Sequence, residues 1–372
     1  MPEASSTPHI SDVRLNNYIG PTCAFLDNQL DNKAYWTRLY DNLMKDSAIH
    51  KKRVSVFSKY SRFTDTIPWV TSFDTISDLH NIADRSKTIS LFYGYIFPVL
   101  LLLNKFELSE RVIVAAGDIS DGLPIPTLTK ARTILKPQLN ILSPLDFNHH
   151  FDSFRKVTHA DIEFGEKQER LVWRGAFTGP PKSVAKRNHI SREWIVDLFH
   201  RTSGDGAIDV GFTGIPGDKK THPMYEDVRK CAAPRMSLED QLQNKYILSI
   251  EGNDVSTGLK WMMLSNSVVV MPQPSIESWF CESFLEPFVH YVPVKADLSD
   301  TEEVIEWCRD NDKTCAEIAQ NGKNFAVNFT DPEKEIQLFE QVVKWYCTDR
   351  RIRDAVEHSI DILLTVYRDM DR

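Results

Sequence analysis

The chain has 372 residues, of which 42% are hydrophobic and 26% are charged, so it is long enough for two globular domains with separate cores. Its 44 basic and 52 acidic residues give a formal net charge of −8, which argues against broad binding to a nucleic-acid backbone. The six cysteines form no C-x-x-C pair, so they predict neither a zinc site nor a disulfide scaffold.

The beginning of the chain and its most apolar stretch carry no targeting or membrane-spanning signal. Residues 1–12 are polar and lack the apolar core of a secretory signal peptide. The apolar run 89–103 is shorter than the roughly 20 residues of a transmembrane helix, and it contains Gly94 and Pro98. We therefore expect a cytoplasmic protein, with a peripheral contact to a membrane left open.

In the first part of the chain, the hydrophobic pattern predicts strands over 54–57 and 111–116. The second strand runs into a loop with Asp118 and Asp121, and such loops carry the functional groups of open α/β sheets. A carboxylate there can act as general base for an incoming hydroxyl. Both aspartates also fit a turn or a helix cap, the commoner role of aspartate in loops. The proline-punctuated segment 124–144 predicts irregular structure.

The rest of the chain alternates predicted strands and helices, which indicates α/β layers. A charged segment at 160–168 predicts a domain boundary. Strands are expected over 171–173, 208–212, 246–250, 267–271 and 291–294, and helices over 191–200, 238–245, 301–311, 313–327, 332–346 and 349–370.

The segment 246–271, YILSIEGNDVSTGLKWMMLSNSVVVM, predicts a buried strand, a glycine turn, a short helix and a second buried strand. Because a helix connects the two strands, they are expected to be parallel. Gly252 permits close backbone approach, and the amides at the start of the helix can face an anion. The unit therefore predicts a nucleotide-phosphate cradle, although most strand–glycine–helix turns bind nothing.

Two groups of polar residues could complete such a cradle. In WRGAFTG at 173–179, Arg174 could fork to two oxygens of a diphosphate, and Arg192 at the next helix start could add charge. The sequence is equally consistent with Arg192 being a surface arginine near the start of a helix. In the second group, Glu251 or Asp254 could accept from ribose hydroxyls. Ser256 could donate to phosphate, and Lys260 is either a further cation or a solvated charge on the helix.

Three stretches resemble glycosyltransferases of family 90: KYILSIEGNDVSTGLKWMMLSNSVVVMPQPSIESWFCESFLEPFVHYVPVKADLSD at 245–300, LVWRGAFTGPP at 171–181 and VAAGDISDG at 114–122. The family includes Rumi-like protein O-glucosyltransferases, fungal capsule-associated xylosyltransferases and bacterial members that modify lipopolysaccharide or capsule. The resemblance covers about 108–330 and is closest to the bacterial type.

The resemblance implies a GT-B fold, with two Rossmann-like domains facing a cleft. It assigns 1–165 to an acceptor-side domain and 166–330 to a domain that binds the UDP-sugar. The C-terminal helices 331–372 could cross back to the first domain. It also implies inversion by single displacement, with the UDP-sugar as co-substrate, no cofactor and no essential metal.

Carried over by position, the resemblance makes Asp118 the general base. We also expect Asp121 and Glu282 on the acceptor side, as the next candidates for the base. The residues that it implies for binding the UDP-sugar are Arg174, Thr178, Arg192, Gly252, Asp254, Val255, Ser256 and Lys260. In the same two segments we also expect binding by Gly175, Gly179, Glu251 and Asn253. Gly258 stands where animal members have an arginine. Phosphate charge must then be met by Lys260, Arg192 or Arg174.

We therefore expect an inverting transferase that moves glucose or xylose from a UDP-sugar to a hydroxyl of a glycan or glycolipid, with no nucleic-acid partner. A Rossmann-type oxidoreductase is disfavoured because no G-x-G-x-x-G follows a predicted strand. A non-catalytic nucleotide-sugar- or glycan-binding protein derived from such an enzyme stays open, since it would keep the same cradle.

Overall fold

The computed structural model describes residues 13–19, 22, 26, 34–35, 38–45, 54–58, 92–118, 123–135, 138–145, 147–181, 190–202, 204 and 206–370. The chain divides into two compact units. Unit 1 combines Met1–Phe147 with Pro332–Arg372, and unit 2 is Asn148–Asp331. The boundary predicted at 165/166 lies inside unit 2, and the division into acceptor and nucleotide-sugar domains stays a prediction.

The described strands are β1 (Val54–Phe57), β2 (Val112–Ala115), β3 (Thr127–Thr129), β4 (Ala131–Thr133), β5 (Asn140–Leu142), β6 (Gln168–Ala176), β7 (Ile208–Gly214), β8 (Asn244–Leu248), β9 (Val268–Met271), β10 (Ile276–Ser278) and β11 (Val292–Pro293). The described α-helices include α1 (Leu39–Met44), α2 (Phe97–Lys105), α3 (Phe147–Ala160), α4 (Trp194–Thr202), α5 (Tyr225–Lys230), α6 (Leu238–Leu242), α7 (Leu259–Leu264), α8 (Thr301–Asp310), α9 (Asp312–Val327), α10 (Pro332–Thr348) and α11 (Arg350–Met370). None of these helices is both long and apolar enough to cross a bilayer.

Unit 1 contains a four-stranded sheet in the order β1-β2-β3-β5, in which β1 is antiparallel to β2 and the other pairs are parallel. All four residues of β2 are buried, as the apolar run in the sequence predicts. The strands predicted near 54–57 and 111–116 are confirmed. The irregular structure predicted for 124–144 is wrong, because β3, β4 and β5 lie there.

The C-terminal helices α10 and α11 complete the core of unit 1. Glu335 at the start of α10 makes a two-pronged ion pair with Arg14, with both N–O distances at 2.6 Å and both side chains buried. The buried hydroxyl of Tyr346 donates to the Pro126 carbonyl oxygen at 3.0 Å and accepts from the Ile113 amide at 3.1 Å. These contacts join α10 to Arg14, to β2 and to the segment just before β3.

Unit 2 contains a five-stranded parallel sheet in the order β11-β9-β8-β6-β7. Every residue of β8 and β9 is buried, because strands of a parallel sheet with helices on both faces contact no water. The predicted parallel pairing is confirmed by the register, with Tyr246 opposite Val268 and Leu248 opposite Val270. Core residues from α4, α8 and α9 pack with residues of this sheet.

The strand order defines where a ligand site can form in unit 2. The chain runs from β6 to its neighbour β7, and then returns to β8 on the opposite side of β6. Ligands of open α/β sheets bind outside the carboxyl ends of the strands at such a reversal. We call the space outside the ends of β6 and β8 the crevice. The α/β class is confirmed, and a GT-B arrangement of the two units stays a prediction.

Candidate functional site

Two glycine-containing loops meet at the crevice, the β6 loop (177–181) and the β8 loop (249–258). Gly179 has a φ of +99°, and a Cβ atom there would lie 2.9 Å from the Gly252 carbonyl oxygen. A Cβ atom on Gly252 would lie 3.0 Å from Thr178 Oγ1. The Gly179 amide donates to Asn253 Oδ1 at 3.0 Å. Side chains at these glycines would force the loops apart, so the sequence provides backbone groups at close range.

The half-buried Arg192 binds both loops. Desolvation lowers the pKa of Arg192 to about 10, against the opposing effect of the Asp254 charge, so the guanidinium remains charged at neutral pH. The four acceptors of its hydrogen bonds are Ala176 O (2.8 Å), Thr178 Oγ1 (2.9 Å), Ile250 O (3.1 Å) and Glu251 O (3.1 Å). Among the described residues these bonds occupy four of its five N–H groups. Arg192 therefore positions the loops and can offer a ligand at most one further bond.

Arg174 is directed toward β7. Its Nη2 lies 2.8 Å from Asp209 Oδ1, and Nη1 donates to the Trp173 and Asp209 carbonyl oxygens at 3.0 Å each. Nε donates to the Pro234 carbonyl oxygen at 3.2 Å. A diphosphate would have to compete with these bonds, so the role predicted for Arg174 stays a prediction. At neighbouring Gly175, a Cβ atom would lie 2.5 Å from the Trp173 ring, which gives that glycine a packing role.

Glu251 connects the β8 loop to the β9 loop (272–275). Its buried carboxylate accepts from Ser275 N at 2.8 Å, from Ser275 Oγ at 2.5 Å and from Ile276 N at 3.1 Å. Burial raises the pKa of Glu251 to about 7, although these hydrogen bonds lower it and the Glu282 charge raises it further. Both of its oxygens are engaged within the protein, so contact with a ribose would require them to change partners.

Lys260 is fully buried, so its interpretation as a solvated charge is wrong. Its ammonium lies 3.4 Å from Glu282 Oε1 and within 5.6 Å of the Trp279 and Phe280 ring centroids. Glu282, predicted on the acceptor side, is also buried and accepts from the Ser278 amide at 2.6 Å. The pair lies inside unit 2 as a desolvated, hydrogen-bonded group.

The remaining residues predicted in the β8 loop are mostly buried. Asp254 accepts the Gly252 amide at 2.9 Å through its carbonyl oxygen, which closes the turn. Val255 and Ser256 line a cavity of about 20 Å³, room for one water molecule. Helix α7 begins only at Leu259 and has six residues, and the expectation that the amides at its start face an anion stays a prediction. A Cβ atom on Gly258 would lie 2.7 Å from the Met262 methyl group.

Lys219, which was not predicted, lies beside the β6 loop. It belongs to the β7 loop (215–224), and its ammonium lies 3.4 Å from the Gly179 carbonyl oxygen. The same ammonium lies 5.9 Å from the centroid of the Phe177 ring. The sequence carried a usable signal, since a Gly/Pro turn follows the predicted strand 208–212 as directly as in the other two loops.

Asp118 follows β2 in unit 1. Its side chain is 38% exposed, and its Oδ1 lies 2.9 Å from the ammonium of Lys130, which is buried. Asp121, the predicted acceptor-side neighbour, lies outside the described residues. In the part of the chain that the structure describes, no group of three or more His, Cys, Asp or Glu side chains could hold a metal ion.

Comparison with known proteins identifies the family. The model of "Glycosyl transferase family 90" matches residues 150–362, more than half of the chain. O-glucosyltransferase LpsA of Dichelobacter nodosus is 34% identical over 254 residues, covering 68% of this chain and 72% of that protein.

Other relatives match shorter stretches. Protein O-glucosyltransferase 1 of Rattus norvegicus is 34% identical over 123 residues, covering 33% of this chain and 31% of that protein. Uncharacterized protein 027R of Frog virus 3 is 36% identical over 211 residues, covering 51% of this chain and 21% of that protein. The family match includes β6, β8 and both glycine loops. The chain is therefore a glycosyltransferase, and it belongs to glycosyl transferase family 90.

Proposed function

We propose that this glycosyltransferase moves glucose or xylose from a UDP-sugar to a hydroxyl of a glycan or glycolipid, with inversion at the anomeric carbon. The contact between Gly179 and Gly252 carries the proposal, because it presents backbone groups at the point where parallel α/β sheets bind nucleotides. The names of the O-glucosyltransferase relatives favour glucose. Xylose rests on the resemblance to the capsule-associated members.

In this proposal the crevice binds the diphosphate of the UDP-sugar. The backbone of the β6 and β8 loops approaches it closely, and the remaining N–H group of Arg192 contributes positive charge. Negative charge grows on the diphosphate as the sugar departs, and groups already held in place stabilise it without reorganising. The hydrogen bonds of Arg192 to both loops supply that rigidity.

The proposed base is Asp118, in a GT-B arrangement that brings the end of β2 to the sugar. The acceptor oxygen attacks the anomeric carbon while the bond from that carbon to the phosphate oxygen breaks. UDP leaves with the bonding electrons, and the acceptor proton passes to the Asp118 carboxylate. The Lys130 ammonium lies 2.9 Å from Asp118 Oδ1, so this ion pair orients the carboxylate. Attack from the face opposite UDP inverts the configuration.

The test uses a panel of UDP-glucose, UDP-xylose, UDP-galactose and GDP-mannose. Thermal shift reports which nucleotide sugar binds, because a ligand that binds only the folded state stabilises it. Release of UDP, with water as acceptor, then reports turnover. Since UDP-glucose is α-linked, NMR of the freshly released sugar should detect the β-anomer before it equilibrates.

Each outcome separates the alternatives. Initial release of the α-anomer would overturn inversion, and preference for GDP-mannose would overturn the UDP donor. Binding without turnover, in water and with glycan or glycolipid acceptors, would favour the non-catalytic binding protein. Binding and turnover should survive EDTA, because the proposal assigns the diphosphate to protein groups. Loss of turnover in EDTA that manganese restores would overturn that assignment.

A further inference from the structure

The predicted cations of the crevice have hydrogen-bond donors engaged within unit 2. Arg192 has committed four of its five N–H groups to the two loops. Lys260 is fully buried beside Glu282, and Arg174 is ion-paired with Asp209. Arg192 can therefore offer a ligand only one further bond, and moving Lys260 or Arg174 onto a ligand would break bonds that hold the sheet or its loops.

Lys219 differs from these three cations in its bonding. Its contact with the Gly179 carbonyl oxygen, at 3.4 Å, is longer than the 2.7–3.2 Å typical of such bonds. An ammonium has three N–H donors, and a long contact with one neutral acceptor leaves it able to bind a second, charged group. Its side chain is half-buried, so the stem is held while the tip contacts the backbone of the β6 loop.

The β7 loop holds the backbone of Lys219 in place. Its amide donates to the Pro216 carbonyl oxygen at 2.9 Å, and its carbonyl oxygen accepts the His222 amide at 3.0 Å. His222 Nε2 lies 3.2 Å from Glu193 Oε1, and the imidazole ring packs edge-on against Phe177 at 5.1 Å. Lys219 is thus fixed next to Gly179, at the contact that forms the crevice.

We propose that Lys219 binds the diphosphate of the UDP-sugar and stabilises the departing UDP, an inference that rests on the proposed function. The ammonium then bridges the Gly179 carbonyl oxygen and a phosphate oxygen. It supplies a charge that the family resemblance did not assign and that Gly258 does not provide. The other role open to Lys219 is to hold the β6 loop alone, and the two roles predict different ligand dependence.

The experiment compares UDP with uridine, which lacks the phosphates. Lys219→Gln should weaken UDP binding roughly tenfold to hundredfold, the effect of losing a charge-assisted hydrogen bond. Uridine affinity should stay within about twofold of wild type, since uridine makes no phosphate contact. Lys219→Arg should restore most of the UDP affinity. Lys220→Gln, at the exposed neighbouring position, is the matched control and should bind UDP as wild type does.

Calorimetry on the four proteins gives outcomes that separate the inference from the function it rests on. If wild type binds UDP and Lys219→Gln binds it equally well, the role of Lys219 is overturned and the proposed function stands. Equal losses for UDP and uridine would assign Lys219 to loop structure and also overturn its role. Wild type that binds no UDP would overturn the proposed function and the inference together.

Discussion

The carboxyl edges of the two sheets are built in different ways. In unit 2, two glycine loops approach each other closely, and Arg192 and Glu251 hold loops together through hydrogen bonds. In unit 1, the loop after β2 presents Asp118, exposed and ion-paired with Lys130. A binding surface gains affinity from groups fixed in advance, whereas a base must reach the proton it removes. Changes in unit 2 should therefore alter affinity and stability, and changes at Asp118 should alter turnover.

The largest expected effect is on turnover in Asp118→Asn. The amide is nearly isosteric but cannot accept the proton, so turnover should fall by roughly 10²–10⁴-fold. UDP affinity and thermal midpoint should match wild type. Rates of UDP release and calorimetric UDP affinity are measured on the same preparation, with Asp354→Asn, 56% exposed, as control. Turnover near wild type would mean that Asp118 is a turn residue. A collapse of UDP affinity would contradict the assignment of binding to unit 2 and of turnover to Asp118.

Arg192→Met should give the largest loss of stability in unit 2. The substitution removes the donor from four acceptors, and a buried acceptor without a donor costs roughly 1–3 kcal/mol. We expect the free energy of unfolding to fall by about 3 kcal/mol, with UDP binding lost as the loops separate. Urea unfolding measures the free energy of unfolding. The control is Arg229→Met, because the side chain of Arg229 is 59% exposed. A loss no greater than in this control would mean that the loops hold their positions without Arg192.

Glu251 should make the stability of unit 2 depend on pH. Its pKa is about 7 in the folded state, above the ordinary 4.5, so the folded protein binds more protons between these values. Stability should therefore fall by about 3 kcal/mol as the pH rises from 4.5 to 7, and then level off. Glu251→Gln has no carboxyl group to ionise, so its stability should not show this fall between pH 4.5 and 7. Urea unfolding from pH 4.5 to 8 tests it, and a constant difference between the two proteins would contradict the raised pKa.

Gly179→Ala should have the smallest effect on stability. It separates the effect of backbone strain from the effect of disturbing the contact between the two loops. Gly179 and Gly204 have φ values of +99° and +100°, but among the described residues none lies within 4 Å of a Cβ atom on Gly204, its chain neighbours aside. Both alanine variants should lose about 1 kcal/mol from backbone strain. Only Gly179→Ala should also push the Gly252 carbonyl away and weaken UDP binding. Equal UDP affinity in both variants would show that the contact between the loops is dispensable.

The parts of the fold that the sequence predicted are those with strong, continuous patterns. β9 is an uninterrupted apolar run and β8 ends in one at Tyr246–Leu248, and α8 to α11 begin and end within two residues of their predicted limits. The three short strands between 124 and 144 were missed because three residues are too few for a period. Their buried polar residues, such as Thr127 and Asn140, also resemble a loop. Tertiary contacts determine structure there.

For the candidate site, the sequence predicted the loops but not the directions of their side chains. Glycines after strands mark a turn wherever they occur, so Gly179 and Gly252 could be selected from local sequence. The acceptors of Arg192 lie as many as 59 residues away along the chain, and no local pattern reveals them. Local sequence could therefore suggest a ligand for Arg192 but could not reveal that four of its N–H groups bond within the protein.

The order of segments along the chain has a consequence for synthesis. Unit 2 interrupts unit 1, so a ribosome delivers all of Asn148–Asp331 before α10 and α11 exist. Arg14 must wait for Glu335, 321 residues later, and the strands around β2 wait for Tyr346. Domains usually finish folding in the order in which they are made, but here the unit that begins first is completed last. A nascent chain halted near residue 331 would carry a complete unit 2 beside an unfinished unit 1, whose apolar surface chaperones would have to protect.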